Sequence, residues 1–294
     1  MKQIIYSLYI DLDKAELDYQ RPYEWDPDQL PKTEKTKLLF QEYYPWLKQR
    51  QIEYANSIGV EYRLYENDEK WQNYKKFFNE TYPQITAYNI VNYYKIHLLY
   101  ELAKEYDEVL YLDFDVVPLN NDNFFTAWDL QNNGIAILEN NSHVLYKFGE
   151  IARKKTPPSV RSPAAKYWNC KAMLLDSNQS GDNNVFNTGI IGASAKDLAK
   201  LDYWSNFNVT LELMDNLKNE DCMWQKEITQ MFGYDNETIW SYKVSTNEVK
   251  IQWLDEKWHH FFDRWDYIKP DTTFCHVINK KFDFVKSWYE KNSL

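Results

Sequence analysis

Glycine is scarce in this chain, seven in 294 residues. That argues against a glycine-rich loop as the device for cradling phosphates. Cysteine is rarer still. Cys170, Cys222 and Cys275 stand far apart, in no C-x-x-C or other zinc spacing, and an odd number suits a reducing compartment. Positive charge is outweighed: 34 Lys and Arg against 44 Asp and Glu leave a net charge of −10, which argues against a scaffold for duplex nucleic acid. An acidic protein still handles an anionic nucleotide when a divalent cation bridges the two. Long apolar runs are missing too; none approaches the roughly 18 residues of a membrane span. The opening "MKQIIYSLYIDLD" is apolar for about one strand before acids appear, without the longer core of a signal peptide. These absences give the expectation of a cytoplasmic protein with no transmembrane segment. Oligomeric state is not legible.

What is abundant is aromatic: 24 Tyr, 15 Phe and 12 Trp, within a hydrophobic fraction of 44% that is enough for a sizeable core. No internal repeat or linker-like stretch interrupts the chain, so residues 1–294 are expected to form one domain.

The patterning is that of an α/β protein. "IIYSLYI" (4–10) alternates and reads as a strand, and residues 11–33, with Pro22, Pro27 and Pro31, read as a loop. A helix is expected up to Gly59, interrupted near Pro45, then a strand at 60–66 and a short helix at 70–80. Val91, Tyr94, Leu98 and Leu102 form a helical stripe that feeds into "EVLYLDFD". The first 115 residues thus read β-α-β-α-α-β, the order of a parallel sheet with crossover helices. Further strands are expected at "GIAIL" and "NNVFNTGIIGAS", and helices around 195–204, 208–218 and 221–232. Residues 147–171, with a basic cluster from Arg153 to Lys166, read as a surface loop. The C-terminal third ("TIWSYKV", "VKIQWL", "TTFCHVI") reads as strand-rich and aromatic.

Two aspartates, Asp113 and Asp115, end the strand at "VLYLDFD". In extended backbone, residues two apart point the same way, so both carboxylates aim at one place while Phe114 turns into the core. Two ionised carboxylates that close repel unless a cation lies between them. Mg²⁺ and Mn²⁺ are held by such oxygens together with water and substrate phosphates. In parallel sheets, ligands gather at the carboxyl ends of the strands, which is where the pair lies. The competing reading is a turn residue next to a cap for "NNDNFF".

"VLYLDFDVVPLN", preceded by the helix "NYYKIHLLYEL", resembles the nucleotide-sugar glycosyltransferases of the GT-A fold, and is most similar to glycosyltransferase family 8 and its D-x-D relatives. The resemblance runs from the first strand to His276. It implies a Rossmann-like, mainly parallel mixed sheet flanked by helices, with the strand- and aromatic-rich portion at the C-terminus. It also implies a metal-dependent transfer of a sugar from a nucleotide-sugar donor, UDP-linked before GDP-linked, to a glycan, lipid-linked or protein acceptor. "TFCHVINKK" matches the family's late histidine and makes His276 the third ligand, beside Asp113 and Asp115, of Mn²⁺ or Mg²⁺. The family often continues with glycine and then Lys-Pro-Trp; Asn279, Lys280 and Lys281 stand there instead, and Lys280 is the candidate for the diphosphate. Lys95 matches a basic residue that contacts the donor, and Tyr6 and Ser7 match the end of strand 1 that grips the nucleoside. Asn187, before Gly189, matches the segment between donor and acceptor. Glu220 and Asp221 match the acidic position facing the acceptor hydroxyl, although the spacing departs from the family's and an N-capping Asp explains Asp221 equally well.

Two other readings compete. "LYLDFDVV" also resembles the haloacid dehalogenase phosphatases, in which the first Asp is a nucleophile; there the nucleophile strand is usually the first of the domain, and here two strands precede it. A sugar-binding module without catalysis is the third reading. The stretch 253–268, with three tryptophans and the neighbours His259 and His260, fits an acceptor platform less well than a packed core.

Overall fold

The computed structural model describes residues 1–13, 16, 32–140, 162–219, 224–262 and 267–292. Along the chain come β1 (Gln3–Leu8), α1 (Lys32–Ser57), β2 (Glu61–Tyr65), α2 (Glu69–Thr81), α3 (Ala87–Leu102) and β3 (Glu108–Asp113). Then follow β4 (Val116–Pro118), α4 (Phe124–Ala127), β5 (Ile135–Glu139), α5 (Pro163–Asp176) and β6 (Phe186–Ser194). The remainder is α6 (Ala195–Leu201), α7 (Phe207–Asn219), α8 (Lys226–Thr229), α9 (Asn236–Thr246), β7 (Ile251–Trp253), β8 (His260–Phe261), β9 (Phe274–His276) and α10 (Phe282–Asn292). This is the expected mixed α/β architecture with a mainly parallel sheet.

The chain divides into two compact units. The first holds Met1–Asp129, Gly189–Gly192 and Leu254–Leu294; the second holds Leu130–Thr188 and Ala193–Trp253. The middle of β6 therefore counts with the first unit and its ends with the second.

In the first unit β1 runs parallel to β2 on one side (Ile4↔Glu61) and to β3 on the other (Ile4↔Val109). A strand between parallel neighbours has both faces covered, and Ile4, Ile5, Tyr6 and Ser7 are fully buried. The helices between these strands are capped as their sequences require. Asp68 accepts from Trp71 N at 2.8 Å, and Thr86 caps α3. Gly59, at φ +70°, ends α1 in the left-handed conformation expected of it, with Val60 N donating back to Ala55 O. Helix α1 is unbroken at Pro45, contrary to expectation. Proline removes one intrahelical donor, but Tyr43, Tyr44 and Trp46 around it pack against the cluster of Phe114, Phe282 and Val285, and tertiary packing overrides the local preference. A second sheet, ordered β4-β9-β8, completes the unit, with β4 antiparallel to β9.

In the second unit β5 pairs in parallel with β7 (Ile135↔Ile251). Two expectations are corrected here. Residues 163–171, read as part of a loop, belong to α5, which opens with Pro163 at its first turn and Ser162 as its cap. "TIWSYKV", read as a strand, is α9. Its alternation misleads because this helix is buried on most faces, from Thr238 to Val244, so no polar stripe betrays the helical period. The local signal was the cap: Asp235 accepts from both Thr238 N and Thr238 Oγ1. A buried polar network ties this helix down, with Glu237 accepting from Thr188 N (2.8 Å) and Thr188 Oγ1 (3.1 Å) and pairing with Lys166.

Gly134 enters β5 at φ +96°, and a Cβ there would stand 2.2 Å from the backbone oxygen of Lys250. Both the strain of a left-handed non-glycine residue, about 1–3 kcal/mol, and the overpacking, about 1–3 kcal/mol, act against a side chain. Gly134→Ala is expected to lose at least about 2 kcal/mol of stability, read as a fall in the urea midpoint at unchanged slope.

Candidate metal centre

Strand β3 delivers Asp113 to its carboxyl end, level with Leu8 of β1. The chain turns at Phe114 and Asp115 before entering β4. Phe114 is driven inward by its ring, which sits among Tyr9 (4.9 Å between centroids), Tyr44 (5.4 Å) and Phe40 (6.2 Å). With Phe114 anchored on one side, Asp113 and Asp115 are left on the other. The turn is held from α1: the fully buried Gln51 donates through Nε2 to both Asp113 O and Val116 O, each at 3.0 Å. The antiparallel pairing of β4 with β9 sets Val116 opposite His276, and Val277 N donates to Asp115 O at 3.0 Å. A histidine distant in sequence is thus brought beside the aspartates by backbone register.

One ligand atom from each of Asp113, Asp115 and His276 lies within 4.8 Å of the others. The oxygens divide their work. Asp113 Oδ1 accepts from Tyr111 OH at 2.5 Å and lies 3.5 Å from Lys95 Nζ, while Asp115 Oδ2 is paired with Lys280 Nζ. The remaining oxygens face the imidazole: His276 Nε2 is 3.7 Å from Asp113 Oδ2 and 3.5 Å from Asp115 Oδ1. Asp113 is 28% exposed through its side chain, whereas Asp115 and His276 are buried. Burial raises the Asp115 carboxyl, but the Lys280 ammonium, with a further contribution from the neighbouring imidazole, outweighs it and holds the group well below the usual carboxylate range. The Tyr111 phenol is pushed up by burial and by Asp113, so it remains a donor. Two carboxylate oxygens and one imidazole nitrogen converging on a point suit a divalent cation, and the nitrogen favours Mn²⁺ over Mg²⁺. The residues fit such an ion.

The sequence model of glycosyl transferase family 8 matches residues 27–278. The chain belongs to glycosyltransferase family 8. No curated protein matches it significantly. Among solved structures it is similar to a glycosyltransferase involved in glycosylation of the major capsid of PBCV-1, at 14% identity over 99% of this chain and 100% of that one, TM-score 0.42. It is similar also to the galactosyltransferase LgtC in complex with donor and acceptor sugar analogs (12%, 94% and 87%, TM-score 0.42) and to mouse xyloside xylosyltransferase 1 (10%, 75% and 77%, TM-score 0.44).

In this family 8 glycosyltransferase, Lys95 lies on α3, 3% exposed, its ammonium 5.2 Å above the Tyr111 ring. Tyr6 and Ser7 are fully buried in β1, and the Tyr6 hydroxyl donates to Lys95 O at 2.6 Å. Lys280 takes a left-handed backbone, φ +59°, in the turn after β9, where Lys280 N donates to Val277 O. A non-glycine residue there is strained, and the turn aims the side chain back at Asp115. Asn187 lies on β6 in the part that counts with the second unit. Glu220, Asp221 and most of the basic loop 153–166 lie outside the described residues. Trp258 packs with Phe124, Trp128 and Phe274 rather than offering a free face. Three residues at the site were not singled out from the sequence: Gln51, Tyr111 and, as a neighbour of His276, His259. Only Tyr111 carried a signal, since it shares a strand face with Asp113.

The depressed Asp115 carboxyl contributes stability that is fully present above its unfolded-state value, about 3.9, and is lost as pH falls below it. Urea denaturation of the wild type and Asp115→Asn is expected to show a stability gap that is widest above about pH 5, begins to narrow near about pH 4 and goes on narrowing as the pH falls further toward the depressed folded-state value.

Proposed function

We propose that this family 8 chain transfers a sugar from a nucleotide-sugar, UDP-linked in preference to GDP-linked, to a glycan, lipid or protein acceptor, with residues 1–294 acting as one catalytic domain. The observation that carries the reading is the convergence of Asp113 Oδ2, Asp115 Oδ1 and His276 Nε2 at the carboxyl end of a parallel strand, flanked by Lys95 and Lys280. Those three atoms would hold Mn²⁺ or Mg²⁺. When bound, the ion neutralises charge on the departing diphosphate.

The chain's own groups do the rest. Tyr111 and Gln51 fix the Asp113 carboxylate and the turn behind it, so the negative pair is oriented before any ligand arrives. Lys95 and Lys280 each lie beside the outer oxygen of one aspartate and put positive charge next to where the phosphates would lie. Tyr6, through Lys95 O, fixes the helix that carries Lys95; Tyr6 and Ser7, expected to grip the nucleoside, are fully buried in β1 and so would back the site from within the sheet rather than touch a ligand. Asn187 is assigned to a sugar hydroxyl, and Asp221, with Glu220 beside it, to the acceptor hydroxyl. Positioning and fixed charge supply most of the rate.

The family match argues against the phosphatase reading, as does the strand order, since β1 and β2 precede the strand of Asp113. Slow hydrolysis or transfer of any nucleotide-sugar excludes a purely binding role.

The test is a thermal-shift panel of nucleotide-sugars with and without Mn²⁺, followed by turnover of the donor that responds. A donor-specific, Mn²⁺-dependent rise in Tm is expected. Asp115→Asn should keep its fold by circular dichroism and lose about 10³-fold or more in kcat, the scale of removing one electrostatic stabiliser. Retained turnover in that variant, or a panel in which no nucleotide shifts Tm, counts against the site.

A further inference from the structure

His259 has no role in the site as assigned, yet it is 1% exposed and lies against the metal-facing histidine. Its backbone is fixed locally. Asp255 O accepts from His259 N at 2.9 Å, and Asp255 Oδ1 accepts from Lys257 N (3.0 Å) and Trp258 N (3.2 Å), closing the turn on itself. The next two residues form β8, which pairs in parallel with β9 in the register Phe261↔His276, and Phe262 N donates to His276 O at 3.0 Å. This pairing sets the two imidazoles side by side, with His259 Nε2 2.9 Å from His276 Nδ1 and ring centroids 5.1 Å apart. Phe261 meets the His276 ring edge-on at 5.5 Å. Among the described residues, His259 Nδ1 has no hydrogen-bond partner.

We infer that His259 is the positioning residue for His276, accepting its Nδ1 proton and so turning the bare Nε2 toward Asp113 and Asp115. The inference rests on the metal reading of those three residues. A nitrogen that binds a cation must offer its lone pair, so the ring proton sits on the other nitrogen and needs a buried acceptor. A carboxylate or a backbone carbonyl is the usual acceptor. Here the neighbouring group within reach is an imidazole. It supplies a lone pair without adding a third negative charge beside two carboxylates that already repel. The opposite arrangement, with His259 Nε2 donating to His276 Nδ1, puts the His276 proton on Nε2. That proton then points at the aspartates and closes the position to a cation. The direction of this one hydrogen bond decides whether the three ligand atoms are available together.

The test compares the full chain, stripped of ions, as wild type, His259→Gln and His259→Leu. Mn²⁺ alone is titrated in, with the free ion followed by electron paramagnetic resonance and Tm recorded with and without it. His259→Leu is expected to bind Mn²⁺ about 10- to 100-fold more weakly and to lose the Mn²⁺-dependent rise in Tm. His259→Gln, whose Oε1 takes the place of Nε2 and accepts the same proton, is expected to keep most of both. Should the leucine variant not fold, His259→Asn replaces it, since its shorter amide does not reach His276 Nδ1. Wild-type affinity in the leucine or asparagine variant overturns the inference and leaves the metal reading standing, and so does a glutamine variant as weak as leucine. A wild-type chain that takes up no Mn²⁺ overturns both.

Discussion

Two carboxylates one residue apart, gathered in a largely buried site, repel each other, and the rest of this structure is arranged around that repulsion. At about 4 Å, two unit charges interact by about 4 kcal/mol at an effective dielectric of 20. That is a large fraction of a domain's net stability. The chain answers by giving each aspartate a different job for each oxygen. The outer oxygens are met by Tyr111 and Lys95 on Asp113 and by Lys280 on Asp115. The inner oxygens are left facing His276 Nε2 at distances too long for a strong hydrogen bond. What remains unbalanced is therefore localised between the two side chains and the ring.

Holding that imbalance in place requires a rigid backing, and three separate stretches of chain supply it. The parallel β1–β3 pair brings Asp113 to the open end of the sheet. Helix α1 reaches across with consecutive side chains: Gln51 grips the carbonyls on both sides of the turn, and Arg50 donates to Pro118 O at the end of β4. The last part of the chain adds β9, whose antiparallel register with β4 decides that His276, and not Cys275, lies opposite Val116. A one-residue slip in that register would turn the imidazole to the other face. Because each support comes from a different region, the site exists only once the whole first unit has formed.

The parts of this legible in sequence were those with a short-range signature. The aspartate pair and the strand before it follow from the apolar run and the spacing; the extended backbone expected through Phe114 does not form, because the chain turns at Phe114 and Asp115 and it is the packed Phe114 ring that sets the arrangement. The α/β order follows from the apolar stripes. His276 is legible only through the resemblance to the family motif, since nothing local marks one histidine in an aromatic-rich segment as a ligand. Gln51 was invisible because it is one polar residue in a helix with no distinct amphipathic face, and its importance comes from two backbone carbonyls far along the chain. The errors have the same origin. Local preference predicts a break at Pro45 and a strand at "TIWSYKV", and in both cases burial against distant residues decides otherwise. Lys280 occupies a backbone conformation that sequence assigns to glycine or asparagine, so its approach to Asp115 had no precursor in the pattern.

The same division of oxygens explains why two lysines and a divalent ion need not compete for this site. Had Lys95 and Lys280 bonded the inner oxygens, an arriving cation would have to displace buried ammoniums whose desolvation was already offset by those contacts. Because they hold the outer oxygens, a cation between Asp113 and Asp115 leaves both lysine contacts intact. The two ammoniums stay beside the aspartates, so the pair's negative charge is met at its outer edge by Lys95 and Lys280. Scarcity of glycine fits the proposed function, in which charged side chains rather than a flexible backbone loop would meet the phosphates. On that argument the spacing of Asp113 and Asp115 matters less than which oxygen of each is already spoken for.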